Sequence, residues 1–120
     1  MKVKEQAMEF GCFNPLGKDL PAVEESFMDA DGYQSLASVL QRAYDQAARG
    51  KGKERHACDR PFTAQPMQTI SELLGSHIGL QYQAIKKIQE SNRLDKDAQI
   101  RELLGAINYI AGAIIFLEGR

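Results

Sequence analysis

The chain has 120 residues, 43% of them apolar and 26% charged, with a formal net charge of −1 at pH 7. This composition fits one soluble domain with a single core and excludes a disordered polymer; the near-neutral balance also argues that the molecule as a whole is not a polyanion binder. Two cysteines are too few for a disulfide framework and no apolar signal run opens the chain, so the expectation is a cytoplasmic protein with reduced thiols.

Residues 1–32 read as an N-terminal arm. Lys2 to Phe10 fits neither a strand period nor a helix period well, and Gly11, Asn14-Pro15, Gly17 and Pro21 then punctuate a loop. Asp29-Ala30-Asp31-Gly32 reads as a turn or helix entry and lacks the further oxygen ligands of a calcium loop. The arm is acidic: residues 1–35 hold three Lys/Arg against seven Asp/Glu.

Residues 33–120 read as a helical domain. A first helix is expected over Tyr33–Ala48, where Leu36, Val39, Leu40, Ala43, Tyr44 and Ala47 share one face and Gly50 and Gly52 follow as stop signals. Tyr44 is assigned to the core on that spacing. A second helix is expected to begin near Pro66, a residue suited to a first helical turn, with Ile70, Leu73 and Leu74 inward. Gly75-Ser76 interrupts it. Ser76 is placed to cap a third helix over His77–Glu90, with Ile78, Tyr82, Ile85 and Ile88 on its apolar side.

Asp95 is placed to cap the last helix, expected over Lys96–Leu117. Ile100, Leu103, Leu104, Ile107, Ile110, Ala111, Ile114 and Leu117 form its expected inner stripe, and Ala106, Tyr109, Ala113 and Phe116 make a second apolar face. Gly105 and Gly112 lie two turns apart on one side; each costs roughly 1 kcal/mol in a helix interior, which close approach of another helix would offset. The apolar run from Leu103 to Leu117 falls short of the roughly 18–20 residues of a bilayer span, so no membrane segment is expected. The expected fold is therefore all-α: a small bundle of three to four helices with an irregular N-terminal arm. Its surplus apolar surface favours a homo-oligomer through the last helix.

Chemistry concentrates between the first two helices. Arg49 to Arg60 holds five basic and two acidic residues with Gly50, Gly52, His56 and Cys58. Three readings fit: a site for a small phosphate-bearing ligand, a nucleic-acid contact, or a solvated or protein-contacting surface. The near-neutral charge and the lack of an aromatic platform disfavour nucleic acid. The segment is not a Walker A loop, since no strand precedes it and no Lys-Ser/Thr pair ends it. His56 and Cys58 lack the further ligands of a zinc site beyond His77 and Cys12, so no metal or cofactor is expected. The expected ligand-binding set is Lys51, Lys53, Arg55, His56, Arg60, Gln65, Gln83, Lys86, Lys87, Asn108 and Tyr109. Asn108 also admits a second role, fixing helix register at an interface.

Four stretches resemble a set of small proteins encoded by phages and prophages. They are Gly50-Lys-Gly-Lys-Glu-Arg-His56, Pro61-Phe62 with Gln65-Pro66, Gln83-Ala-Ile-Lys-Lys-Ile-Gln-Glu-Ser91, and Glu102-Leu-Leu-Gly-Ala-Ile-Asn-Tyr109. The resemblance runs from the end of the first helix through the last and leaves residues 1–32 unmatched. It implies a phage protein acting in the host cytoplasm, where small phage proteins often inactivate bacterial defence components, some as helical oligomeric sponges for cyclic nucleotide signals. The expected function is thus a non-enzymatic binding protein that sequesters a phosphate-bearing nucleotide signal and antagonises host antiviral defence. The alternative is a protein–protein inhibitor of a host defence enzyme or nuclease complex. An all-α nucleotide pyrophosphohydrolase ranks third, because Glu72, Glu90 and Glu102 stand singly rather than in the paired pattern that holds magnesium.

Overall fold

A computed structural model describes residues 28–57 and 59–119. The expected features of residues 1–27, including Cys12, lie outside the described residues, as do Cys58 and the side chain of His56. Four α-helices follow in order: α1 (Gln34–Arg49), α2 (Pro66–Leu74), α3 (Ile78–Ser91) and α4 (Lys96–Glu118). A π turn (Lys53–Ala57) and a 3₁₀ turn (Phe62–Ala64) lie between α1 and α2. The fold is all-α, and no strand occurs among the described residues.

Local chemistry places the boundaries. The expected turn forms over Ala30–Tyr33, closed by the Tyr33 N–H donating to the Ala30 carbonyl at 3.1 Å. Pro66 opens α2, and Gly75 closes it at φ 67°, where an L side chain would be strained. That left-handed residue lets the Ser76 N–H reach the Ser71 carbonyl at 3.1 Å, the closing bond of a Schellman motif. Ser76 Oγ then accepts from the Ile78 N–H at 3.0 Å as α3 begins. Asp95 Oδ1 accepts from the Ala98 N–H at 3.0 Å and caps α4.

The helices assemble around α4. Gln46 Nε2 of α1 donates to the Arg101 carbonyl at 3.1 Å, and Asn108 Nδ2 donates to the Ala43 carbonyl at 3.0 Å. The pairing runs in opposite chain directions, so α1 lies antiparallel to α4. The short turn between α3 and α4 makes these two an antiparallel hairpin, with Lys87 beside Glu102 and Leu80 beside Gly112. Across the same end lies α2, whose Gln68 Nε2 donates to the Gly112 carbonyl at 2.9 Å.

What fills the interior differs from the sequence expectation. The buried apolar residues are Ala43, Leu80, Ala84, Leu104, Ala106, Ala113 and Phe116, joined by buried Gln65, Gln68, Ser71 and Ser91. Most of the large residues expected inside are exposed: Leu36, Leu40 and Tyr44 on α1, Ile70, Leu73 and Leu74 on α2, Ile78, Tyr82, Ile85 and Ile88 on α3. On α4 the same holds for Ile100, Leu103, Ile110, Ile114 and Leu117. Tyr44 is accordingly not a core residue; its ring receives the Arg49 guanidinium at 5.4 Å.

The reason is steric. A helix approaches most closely where its partner presents small side chains, and α4 does so on the side bearing Gly105 and Gly112. A Cβ at Gly112 would stand 2.6 Å from Met67 Sδ, and one at Gly105 would stand 3.0 Å from Lys87 Cδ. The buried polar side chains are satisfied within this tight packing. Ser71 Oγ donates to the Met67 carbonyl at 2.8 Å and Ser91 Oγ to the Ile88 carbonyl at 2.7 Å.

Candidate functional site: a cationic cleft beside α4

Much of the basic segment after α1 is helical: residues 51–52 are helical and Lys53–Ala57 form the π turn. Gly50 ends α1 with its N–H on the Gln46 carbonyl at 3.2 Å, and the Glu54 N–H returns to the Gly50 carbonyl at 3.1 Å. The chain then winds through the wider π turn. Gly52 is what permits this: a Cβ there would stand 2.8 Å from Ala47 Cα and 2.9 Å from the Gln46 carbonyl oxygen. Backbone cannot yield at such distances. Single π turns of this kind often occur at functional sites, because they redirect side chains out of helical register.

The redirected side chains wall a cleft of about 340 Å³ between the π turn, α3 and α4. Lys51 and Arg55 enter from the segment after α1, Lys87 from α3 and Arg101 from α4. Gln46, Gln65, Asn108 and Tyr109 supply amide and hydroxyl groups, and Phe62, Met67 and Ala47 supply apolar surface. Gly105 opens the floor where Lys87 crosses it. Among the described residues, Glu102 is the one carboxylate on the lining, and it pairs with Lys87 at 3.3 Å. Lys51 pairs with Glu54 at 3.6 Å. Among the described residues, Arg55 and Arg101 have no ion-pair partner, which leaves two guanidinium groups able to receive an anion.

Six of the expected binding residues therefore meet here: Lys51, Arg55, Gln65, Lys87, Asn108 and Tyr109. Asn108 sits in the wall with its amide held by the Ala43 carbonyl, and buried Gln65 is held by donating to the Arg60 carbonyl at 3.1 Å. Lys53 and Arg60 line a second, mostly apolar groove of about 720 Å³, which shares Ala47, Phe62, Gln65 and Asn108 with the cleft. Gln83 and Lys86 line neither. Lys86 instead pairs with Glu90 at 3.6 Å along α3, because each helical step turns a side chain by about 100° and carries it away from the direction of Lys87.

Gln46, Arg101 and Glu102 are lining residues that the sequence reading did not include. The signal was present: Arg101, Gly105 and Asn108 recur at i, i+4 and i+7, a small and polar stripe opposite the apolar one.

Among the described residues, no group of three or more His, Cys, Asp or Glu side chains comes together to hold a metal. Glu102, the carboxylate that the described residues bring to the cleft, is engaged by Lys87. By length and composition α4, with 23 residues, could cross a bilayer; one side of it nevertheless carries Arg101, Glu102 and Asn108 into the cleft. Comparison with protein-family models, curated proteins and solved structures returns no match.

Proposed function

We propose that the chain is a non-enzymatic binding protein whose cleft takes a small phosphate-bearing ligand of the nucleotide type. One observation carries this reading: cations from three separate elements, Lys51, Arg55, Lys87 and Arg101, converge with four amide or hydroxyl side chains on one cleft. Guanidinium groups meet phosphate oxygens through paired, charge-assisted hydrogen bonds, and Lys contributes point charge. Phe62 and Met67 offer an apolar surface for a base, and the cleft volume falls within the roughly 300–1,000 Å³ of small-ligand sites. The donor set suits holding an anion rather than cleaving it. Joined to the resemblance to phage-encoded proteins, this yields a sequestering protein that withdraws a nucleotide signal, cyclic or linear, from a host antiviral defence.

A protein–protein inhibitor is the second reading, favoured by the apolar groove alongside the cleft, where Leu40 and Tyr44 meet Ile107 and Ala111. Calorimetric titration with a panel of mono-, di- and cyclic nucleotides separates the two. At least one nucleotide is expected to bind, and Lys51→Glu and Arg55→Glu each to weaken it by about tenfold or more, the equivalent of one lost charge-assisted hydrogen bond. Affinity should also fall as salt rises, because Lys51, Arg55 and Arg101 are solvent-exposed. Full affinity in both charge-reversed variants would remove the assignment of the site, and no binding across the panel would favour the inhibitor.

A further inference from the structure

The exposed residues of α4 are ordered, not scattered. Ile100, Leu103, Ile107, Ile110, Ile114 and Leu117 recur at spacings of three and four over the length of the helix. That is an unbroken a/d heptad seam, with Ile at each a position and Leu, Ile and Leu at successive d positions. Five of the six are exposed and Ile107 is half-buried, so no other described helix covers the seam. Residues 104, 106, 111 and 113, at the flanking e and g positions, are Leu, Ala, Ala and Ala, so no charge sits beside the central seam to repel an identical helix. The exposed apolar residues of α3, Ile78, Tyr82, Ile85 and Ile88, fall at spacings of four, three and three, so the strict alternation of α4 is not kept and Gln89 stands where it would continue.

The seam continues laterally onto α1. Leu40 and Tyr44 meet Ile107 and Ala111 around the groove of about 720 Å³, a depression beside the seam able to receive a large side chain from a facing helix. Leu36, Leu40 and Tyr44 are exposed as well, so the apolar face spans two helices, as an interface of roughly 800 Å² per partner requires. A self-complementary heptad with no charge code in its middle selects a copy of itself. Ile at all three a positions with Leu at two of the three d positions is close to the pattern that favours two strands.

We propose that α4 packs against α4 of a second copy of this chain along Ile100, Leu103, Ile107, Ile110, Ile114 and Leu117, giving a two-fold dimer. The cleft residues Arg101, Glu102, Gly105, Asn108 and Tyr109 occupy the b, c and f positions, on the opposite side of the same helix. Each copy therefore keeps its cleft open and facing away from the seam, and the dimer carries two separate ligand sites. The pairing stands independently of what the cleft binds.

Sedimentation velocity of the intact chain between about 1 and 100 μM, a range that brackets micromolar association, tests this without any ligand. The expected species has twice the 13.4 kDa mass of the chain. Ile110→Glu should give a monomer with the helical circular dichroism of the parent, since Ile110 already tolerates exposure in the single copy. Ile110→Ala should weaken dimerisation by about tenfold or more without introducing a charge, which keeps the test informative if the Glu variant misfolds. Leu73→Glu, on α2 away from the seam, should leave the dimer intact. A monomer at 100 μM would overturn the proposal, as would a larger assembly, partition of the chain into phosphatidylcholine vesicles in place of dimer formation, or a dimer that survives Ile110→Glu.

Discussion

Phe116 and Leu117 are neighbours on α4 and live in different environments: one is 4% exposed, the other 50%. The two faces they mark divide the molecule. The face that packs inside the protomer is made of Gly105, Ala106, Gly112, Ala113 and Phe116, and its contacts come from close approach and from amide hydrogen bonds such as Gln68 to Gly112. The other face, of Ile and Leu, holds most of the apolar bulk of α4 and is left to solvent by the single chain. Helix pairing in this fold follows side-chain size rather than side-chain hydrophobicity. The closest contacts fall at Gly105 and Gly112, with Phe116 packed beside them, and the Ile and Leu face is left exposed.

The sharpest way to break that contrast is to truncate the two neighbours separately. Phe116→Ala should lower the stability of the protomer by about 3–5 kcal/mol, the usual range for emptying a buried aromatic site, whereas Leu117→Ala should change it by less than about 1 kcal/mol. Urea unfolding at sub-micromolar concentration, where association contributes least, reads both. Next comes Gly112→Val, which drives a branched side chain into Met67 and should destabilise by about 1–3 kcal/mol through overpacking, despite the better helix propensity of Val. Asn108→Ala removes the tie to the Ala43 carbonyl and should cost about 1–2 kcal/mol in the same assay. Asp95→Ala, which strips the cap from α4 at a site on neither face, should cost about 1 kcal/mol. If Leu117→Ala proved as damaging as Phe116→Ala at low concentration, the two faces would not differ as described.

Element boundaries were legible because local chemistry decides them. Pro66, Gly75, Ser76 and Asp95 each act within a few residues of themselves, and the helices they bound agree with the sequence reading to within a residue or so at most ends. Facing was not legible, because an apolar stripe shows that a face needs covering without showing what covers it. Of the eight residues in the apolar stripe of α4, Leu104 is buried and Ile107 and Ala111 half-buried, whereas the other five point outward. Gly105 and Gly112 were the better guide, since only close contact explains two glycines on one side of a long helix.

The candidate site divides in the same way. Lys51, Arg55, Lys87 and Asn108 are legible from residue type, but the cleft they share depends on the turn at Gly52, where a Cβ would strike the Ala47 backbone, a local geometry that residue type alone does not reveal. Arg101 and Gln46 come to the cleft only because α1 and α4 run antiparallel, and Lys86 is lost from it because its neighbour Lys87 takes the inward position. Charge in a sequence names the kind of partner; the helix pairing decides which charges meet it.

The central claim is that the cleft holds a phosphate-bearing ligand, and native mass spectrometry of the protein, gently purified from phage-infected cells, tests it most directly. The account predicts one nucleotide-sized adduct per chain, released on denaturation, identified as phosphate-bearing, and missing from Arg55→Glu prepared in the same way. An adduct-free wild-type protein recovered from cells in which the defence signal is being made would contradict it.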